Sequence, residues 1–148
     1  SEITRQLCRD ERFISPKTYC TKQSEKHHYL TEEEFKKQKF FEQTMYAGVK
    51  YGTKKEDIQG VLDEGKFVVM PLDMCGAIAM KRHFPTVIIY IAKDKEEMIA
   101  DIVQSDFSVE EKTLRILSLD AEKRNREICD VTADNRDGKG MERIVNLL

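Results

Sequence analysis

Residues 40–53 read FFEQTMYAGVKYGT, and this stretch predicts two neighbouring strands. Residues 41–46 are typical of a strand, Gly48 suits a turn, and residues 49–51 continue in extended form. Glu42 therefore lies on a strand among apolar and aromatic neighbours. By itself this pattern indicates an outward-facing strand carboxylate, whereas two adjacent acceptor oxygens also suit a ligand that offers two N–H donors side by side.

The residues that follow alternate between helical and extended patterns. Thr53, with Glu56 three residues later, is placed as the N-cap of a helix that ends at Gly65. Two continuous apolar runs, 67–70 and 87–91, predict strands covered on both faces. Asp73, after the first run, is an N-cap candidate and also stands where ligands bind in open α/β sheets.

Buried strands separated by helices predict an α/β fold with a parallel sheet covered by helices. The polar segment 16–51 is predicted to form a small insertion outside that sheet. Thr31 and Glu34 form a capping-box pattern. The remaining predicted helices are 2–9, 31–37, 73–84, 95–103, 109–126 and 139–148, and short extended pieces are predicted at 12–15, 27–30 and 128–132.

Composition limits the function classes. The 148 residues fit one domain, with 40% hydrophobic and 35% charged residues. A net charge of −2 offers no electrostatic case for nucleic acid or an anionic membrane. No apolar run approaches the ~20 residues of a membrane span. The four cysteines form no CxxC pair, so we expect reduced thiols in a cytoplasmic protein and no zinc site.

The order of these motifs resembles the guanylate kinase family. The resemblance rests on FE at 41–42, YGT at 51–53, EGK at 64–66 and DMCG at 73–76. It implies a single domain, 1–148, with a three-layer P-loop-kinase-like core around a parallel sheet. It also implies a small monophosphate-binding subdomain at 16–53 and a short lid at 104–112.

The resemblance also implies roles for individual residues. In the family a strand glutamate, here Glu42, accepts from the N1–H and exocyclic amine of guanine. Arg115, with a one-residue ambiguity in register, matches a catalytic arginine. The substrate-binding positions implied by the family are Ser15, Lys22, His27, Glu42, Tyr51, Thr53 and Asp73. Tyr51 is alternatively a core aromatic, and Thr53 and Asp73 are alternatively simple N-caps.

Several positions depart from the family pattern. Two arginines that clamp the GMP phosphate are replaced by Tyr19 and Lys22, and lysine lacks the arginine fork. A carboxylate that helps to hold Mg²⁺ is replaced by Pro71. The segment 102–108 carries none of the lid arginines. Because phosphoryl transfer relies on charge neutralisation, these changes predict weakened catalysis.

The prediction of an ATP-binding site depends on the first residue of the sequence, Ser1. Ser1 stands at the [ST] position of a P-loop, whose strand, glycines and lysine would precede it. Either those residues belong to a longer chain, or the ATP site lacks its cradle. The segment 137–140, DGKG, follows a polar stretch and predicts a turn. ATP and Mg²⁺ are therefore implied by the resemblance alone, and no metal ligands are predicted.

Three functions follow. The first is phosphoryl transfer from ATP to GMP or a related monophosphate, weakened or absent in this chain. The second is a pseudoenzyme that binds guanine nucleotides without turnover, and the third is a protein-interaction module. A GMP-like monophosphate is the expected partner, nucleic acid and membrane are not expected, and a homodimer is left open.

Overall fold

A computed structural model describes residues 2–46 and 48–147, without the side chains of Tyr46, Glu122 and Lys123. The helices are α1 Glu2–Leu7, α2 Glu32–Lys37, α3 Lys55–Asp63, α4 Met74–His83, α5 Lys95–Gln104, α6 Val109–Arg124 and α7 Gly140–Leu147. The strands are β1 Phe13–Ile14, β2 Tyr19–Cys20, β3 His28–Tyr29, β4 Glu42–Tyr46, β5 Val49–Thr53, β6 Phe67–Val68, β7 Ile89–Ala92 and β8 Val131–Asp134. The chain forms two compact units, Ser1–Phe84 and Pro85–Leu148.

The first unit contains a four-stranded sheet in the order β3-β2-β5-β4. Strands β4 and β5 are antiparallel, and Gly48 between them has a φ of 78°, a conformation that glycine adopts without strain. Strand β2 runs antiparallel to β5 and parallel to β3. The predicted strand pair at 41–51 is therefore confirmed, and the sheet continues into residues 19–20, because β2 pairs along β5.

Local signals set the helix starts in this unit. Thr31 caps α2: its hydroxyl accepts from the Glu34 amide, and the Glu34 side chain accepts from the Thr31 amide. Asp73 caps α4 in the same way through the Gly76 amide. Helix α3 ends before Gly65, which has a φ of 73°. These three local predictions are confirmed.

A second sheet in the first unit pairs β1 with β6 in parallel. The Phe13 and Phe67 rings stack across it at 5.3 Å, and Phe13 is buried. Phe67, by contrast, is 49% exposed. The prediction that residues 67–70 form a strand covered on both faces is thus wrong for Phe67, and strand pairing stops after two residues.

The second unit pairs β7 and β8 in parallel, with Ile89 opposite Val131. Both predicted strands begin later than expected. β7 starts at Ile89 rather than at residue 87, and Val87 is exposed. β8 starts at Val131 rather than at residue 128, because Ile128 belongs to a 3-10 turn at Asn125–Ile128. The side chain of Asp130 accepts from the Ile88 amide at 2.8 Å just before the pairing begins. Buried residues of this unit include Ile88, Leu119, Ala133 and Ile144.

The α/β class with parallel strand pairs is confirmed. All four cysteines are free thiols, and Cys75 is exposed. None of the helices in the described part of the chain is long and apolar enough to cross a membrane. The single-domain prediction and its subdivision into 16–53 and 104–112 stay predictions.

Candidate functional site

One face of the β4–β5 ribbon carries three of the seven substrate-binding residues predicted from the sequence. Glu42 lies opposite Thr53, and Thr44 lies opposite Tyr51. Residues paired across antiparallel strands share a face, and so do residues two apart along a strand. The ribbon therefore places Glu42, Thr44, Tyr51 and Thr53 side by side on one surface.

Two of these side chains are buried without a hydrogen-bond partner. Glu42 is 5% exposed and Thr53 is 1% exposed. Among the described residues, neither Glu42 Oε1 nor Thr53 Oγ1 has a hydrogen-bond partner. Buried polar atoms are nearly always paired, so adjacent unpaired atoms suit a ligand that supplies the missing hydrogen bonds.

A second carboxylate reaches this surface from the start of α4. The Asp73 Oδ1 accepts from the Gly76 amide at 2.8 Å, and its Oδ2 accepts from the Thr44 hydroxyl at 2.7 Å. A Cβ atom built on Gly76 would lie 3.0 Å from Glu42 Oε1 and 3.3 Å from Asp73 Oδ1. The two carboxylates therefore converge on the same glycine, and Asp73 is an N-cap that also borders the candidate site.

Burial changes the acidity of Glu42. Loss of water raises the pKa of its carboxyl to about 6, and the negative charge of Asp73 acts on the pKa in the same direction. At neutral pH most Glu42 side chains are still ionised, and an ionised carboxylate only accepts hydrogen bonds. The site therefore favours a ligand edge made of N–H donors.

His27 and Tyr51 form a second pair in the same unit. Their rings meet edge to face at 5.5 Å. Burial, followed by the charge of Lys26, lowers the pKa of His27, and its Nδ1 has no hydrogen-bond partner in the described part of the chain. His27 is therefore a neutral imidazole at pH 7 that supplies one N–H donor rather than a positive charge.

The two remaining substrate-binding predictions in this unit fall on exposed side chains. Ser15 follows β1, and Lys22 follows β2. The Lys22 carbonyl accepts from the Cys20 thiol at 2.8 Å, which fixes the backbone there and leaves the ammonium exposed. Their roles stay predictions.

The opposite face of the ribbon holds an aromatic cluster that the sequence patterns did not reveal. Gly52 lies opposite Tyr19, and the Phe40 ring covers Gly52 so closely that a Cβ there would lie 2.5 Å from it. Tyr19 contacts Phe40 at 5.7 Å and lies between the ammonium groups of Lys17 and Lys54, at 4.8 and 4.9 Å. The missing side chain of Gly52 therefore makes room for the Phe40 ring.

Thr53 is not the N-cap that the sequence suggested. Helix α3 has Lys54 at the N-cap and no side-chain cap hydrogen bond. Thr53 instead ends β5, where its carbonyl accepts from the Phe41 amide at 2.9 Å. Sheet pairing extends the strand past the expected helix start, and the Thr53 hydroxyl is left without a structural partner.

We expect Thr53→Val to separate a binding role from a structural one. Valine keeps the branched shape and removes a buried hydroxyl without a partner, so the free energy of unfolding should stay the same or rise by up to about 1 kcal/mol. Affinity for a ligand that bonds to the hydroxyl should fall about tenfold. Urea unfolding and ligand titration measure the two effects, and a marked loss of stability would contradict this assignment.

The two remaining predicted site residues are Arg115 and Ser1. Arg115 lies on α6 in the second unit, where its guanidinium stacks on Phe107 at 3.8 Å and pairs with Glu111 at 3.1 Å. Ser1, placed at the ATP side, lies outside the described residues. The catalytic and cofactor roles of these residues stay predictions.

An open, shallow depression lies at residues 23–29. It is lined by Gln23, Ser24, Glu25, His27, His28 and Tyr29. Its lining includes His27, whose Nδ1 lacks a partner among the described residues, but neither Glu42 nor Thr53, where two such atoms lie side by side. Because burial without a partner is the stronger indication of a ligand, the candidate site is placed at the β4–β5 face.

The described side chains do not form a metal centre. Within residues 2–46 and 48–147, no group of three or more His, Cys, Asp or Glu side chains can hold an ion. Asp73 already accepts hydrogen bonds on both oxygens, and Pro71 offers no side-chain ligand. Within the part of the chain that the structure describes, Asp73 therefore does not belong to a group of three ligand side chains that could hold Mg²⁺.

Helices that alternate with strands, several of them paired in parallel, define an α/β protein. The fold matches the crystal structure of guanylate kinase from Anaplasma phagocytophilum with a TM-score of 0.74, over 98% of this chain and 78% of that chain, at 19% identity. At that identity the match shows the fold, which is the predicted P-loop-kinase fold. The guanylate kinase family model matches residues 9–140, and the chain belongs to the guanylate kinase family.

Curated relatives match in part. A guanylate kinase of Chlamydia trachomatis serovar D is 34% identical over 73 residues, 47% of this chain and 36% of that protein. One from Clostridium perfringens strain SM101 is 41% identical over 59 residues, 37% of this chain and 27% of that protein. One from Thermotoga maritima is 38% identical over 69 residues, 43% of this chain and 33% of that protein. The matches thus span about a third of these relatives.

Proposed function

We propose that this chain binds GMP or a closely related purine monophosphate at the β4–β5 face, as a guanylate kinase-like protein with weak or absent phosphoryl transfer. The supporting observation is the pair of buried atoms without partners, Glu42 Oε1 and Thr53 Oγ1. Family membership and the guanylate kinase names of the relatives point to the same ligand. A homodimer stays a prediction.

The hydrogen-bonding groups of guanine complement this surface. Its N1–H and exocyclic amine present adjacent N–H donors, and an ionised carboxylate accepts from both. The amine has a further N–H, for which Asp73 is the neighbouring acceptor. The Thr53 hydroxyl both donates and accepts, so it suits a carbonyl or ring nitrogen of the base.

The same groups disfavour adenine. At the corresponding positions adenine presents a ring-nitrogen lone pair and a C–H group, so one carboxylate oxygen of Glu42 would face a lone pair and the other would find no N–H donor. Leaving a buried charge unpaired typically costs roughly 2–5 kcal/mol. AMP is therefore the natural negative control.

We expect the site to hold the phosphate of GMP less firmly than its base. The candidate groups are Tyr51, His27 and Lys22, of which only Lys22 carries a positive charge at neutral pH. A single ammonium holds a phosphate less firmly than a bidentate guanidinium. We therefore expect micromolar rather than nanomolar affinity for GMP.

Weak or absent catalysis is supported by the residues at the family's charge-neutralising positions. Pro71 has no ligand atom where the family has a carboxylate, and 102–108 has no arginine. Lys112, the last residue of the predicted lid, donates to the Val103 carbonyl at 2.8 Å. Because phosphoryl transfer depends on positioned positive charge, its rate should lie well below the roughly 1–100 s⁻¹ typical of kinases.

Isothermal titration with GMP tests the binding proposal. We expect a micromolar Kd for GMP, no measurable heat with AMP, and loss of GMP binding in Glu42→Ala. Gln43→Ala is the matched control, because Gln43 is exposed and points to the opposite face of the same strand. A folded wild-type chain that gives no heat with GMP would overturn the proposal and favour the protein-interaction alternative.

Release of ADP from ATP in the presence of GMP tests the second half of the proposal. We expect a rate at or near background for this chain. Turnover within the usual kinase range would show that the residue changes at Pro71 and the lid do not weaken catalysis.

A further inference from the structure

We infer that Thr44 is a positioning residue that holds the Asp73 carboxylate in the orientation used for ligand recognition. This inference rests on the proposed function, because it concerns the same base-binding surface. Thr44 is not among the positions that the sequence patterns assigned to the site. Its hydroxyl donates to Asp73 Oδ2 at 2.7 Å, across 29 residues of sequence.

The hydrogen bond adds a second point of attachment to the Asp73 side chain. The Gly76 amide already holds Oδ1 at 2.8 Å as part of the α4 cap. With one bond, the carboxylate of an N-cap can still rotate about its last torsion. With both oxygens held by groups on different elements, rotation is blocked, and each oxygen keeps a lone pair for a further donor.

The fixed orientation of the Asp73 carboxylate matters because the Glu42 carboxylate lies beside it. Glu42 Oε1 and Asp73 Oδ1 both border Gly76, within 3.0 and 3.3 Å of one point on it. Glu42 is the buried bidentate acceptor, and Asp73 is more exposed. By locking Asp73, Thr44 sets the third acceptor at a defined distance from the first two.

A purely structural explanation makes a different prediction. Threonine is favoured in strands for its branched side chain, and valine satisfies that preference equally well. Thr44→Val therefore keeps the strand and removes only the hydroxyl, whereas Thr44→Ser keeps the hydroxyl and removes the methyl group. The pair separates hydrogen bonding from strand preference.

The experiment is titration of the wild type, Thr44→Val and Thr44→Ser with GMP and with IMP, which lacks the exocyclic amine. We expect Thr44→Val to weaken GMP binding about tenfold and to change IMP binding less than about twofold, because Asp73 serves the amine. Thr44→Ser should bind GMP within about threefold of the wild type. Thermal unfolding of each variant shows whether it is folded.

Each outcome discriminates. If the wild type binds GMP but Thr44→Val binds it equally well, or loses GMP and IMP in the same proportion, the positioning role is wrong and the proposed function stands. Failure of Thr44→Ser to restore GMP binding also contradicts the role of the hydroxyl. If the folded wild type binds neither nucleotide, the proposed function fails and this inference fails with it.

Discussion

Glu42→Gln is expected to raise the free energy of unfolding at neutral pH while it weakens GMP binding by at least about 100-fold. Glutamine keeps the size of the side chain but replaces one acceptor oxygen with an NH₂ donor that faces the donors of the base. A site built to bond a polar edge loses several kcal/mol when one of its groups is mismatched, roughly 3 or more. The two effects therefore have opposite signs.

The gain in stability follows from the acidity of Glu42. Its folded-state pKa is raised from 4.5 to about 6, so the folded chain binds a proton more tightly than the unfolded chain. Folding stability from this group is present below about pH 4.5 and is lost as the pH rises to about 6. Above that range the buried charge costs about 1–2 kcal/mol, which glutamine does not incur.

Urea unfolding at pH 7.5 and at pH 4.5, with and without the substitution, measures this effect. We expect the variant to be more stable at pH 7.5 and the difference to shrink toward pH 4.5. Glu33→Gln is the control, because Glu33 is an exposed glutamate on α2 and should change stability by less than about 0.5 kcal/mol. A variant less stable than the wild type at pH 7.5 would show that the carboxylate has a partner within the fold.

Gly52→Ala is expected to destabilise the first unit by about 2–3 kcal/mol. The added Cβ would lie 2.5 Å from the Phe40 Cγ and 2.7 Å from both Cδ atoms, well inside van der Waals contact. Phe40 also packs on Phe35 at 4.4 Å and on Tyr19, so its ring has little room to move. Overpacking of this kind typically costs about 1–3 kcal/mol, and the upper part of that range applies here.

Gly60→Ala is the matched control for this substitution. Gly60 lies within α3, and an added Cβ there would meet no heavy atom within 4 Å, so alanine should be neutral or stabilising by up to about 1 kcal/mol. In a Phe40→Ala background the cost of Gly52→Ala should fall below about 0.5 kcal/mol, because the clashing ring is gone. If Gly52→Ala left unfolding unchanged and abolished GMP binding, the glycine would serve the ligand after all.

Local signals in the sequence predicted much of this chain. The Thr31–Glu34 capping box, the Asp73 N-cap and the end of α3 near Gly65 each depend on a few neighbouring residues. Predictions that depended on distant partners were less accurate. Thr53 was assigned to a helix cap because the sequence pattern ends the second strand at residue 51, whereas pairing with Glu42 extends β5 through Thr53. Phe67 was expected to be buried because its run of apolar residues does not show how few strands flank it.

The candidate site likewise combines features that the local sequence predicts with features that depend on distant parts of the chain. The sequence alone determined the ribbon of residues 40–53, the residue types on it and, through its motifs, the guanylate kinase family. Only the tertiary structure decided that Glu42 and Thr53 are buried without partners, that Thr44 reaches Asp73, and that Phe40 fills the space at Gly52. Strand periodicity gives each residue a face, but burial and hydrogen bonding depend on elements that the folded chain brings from tens of residues away.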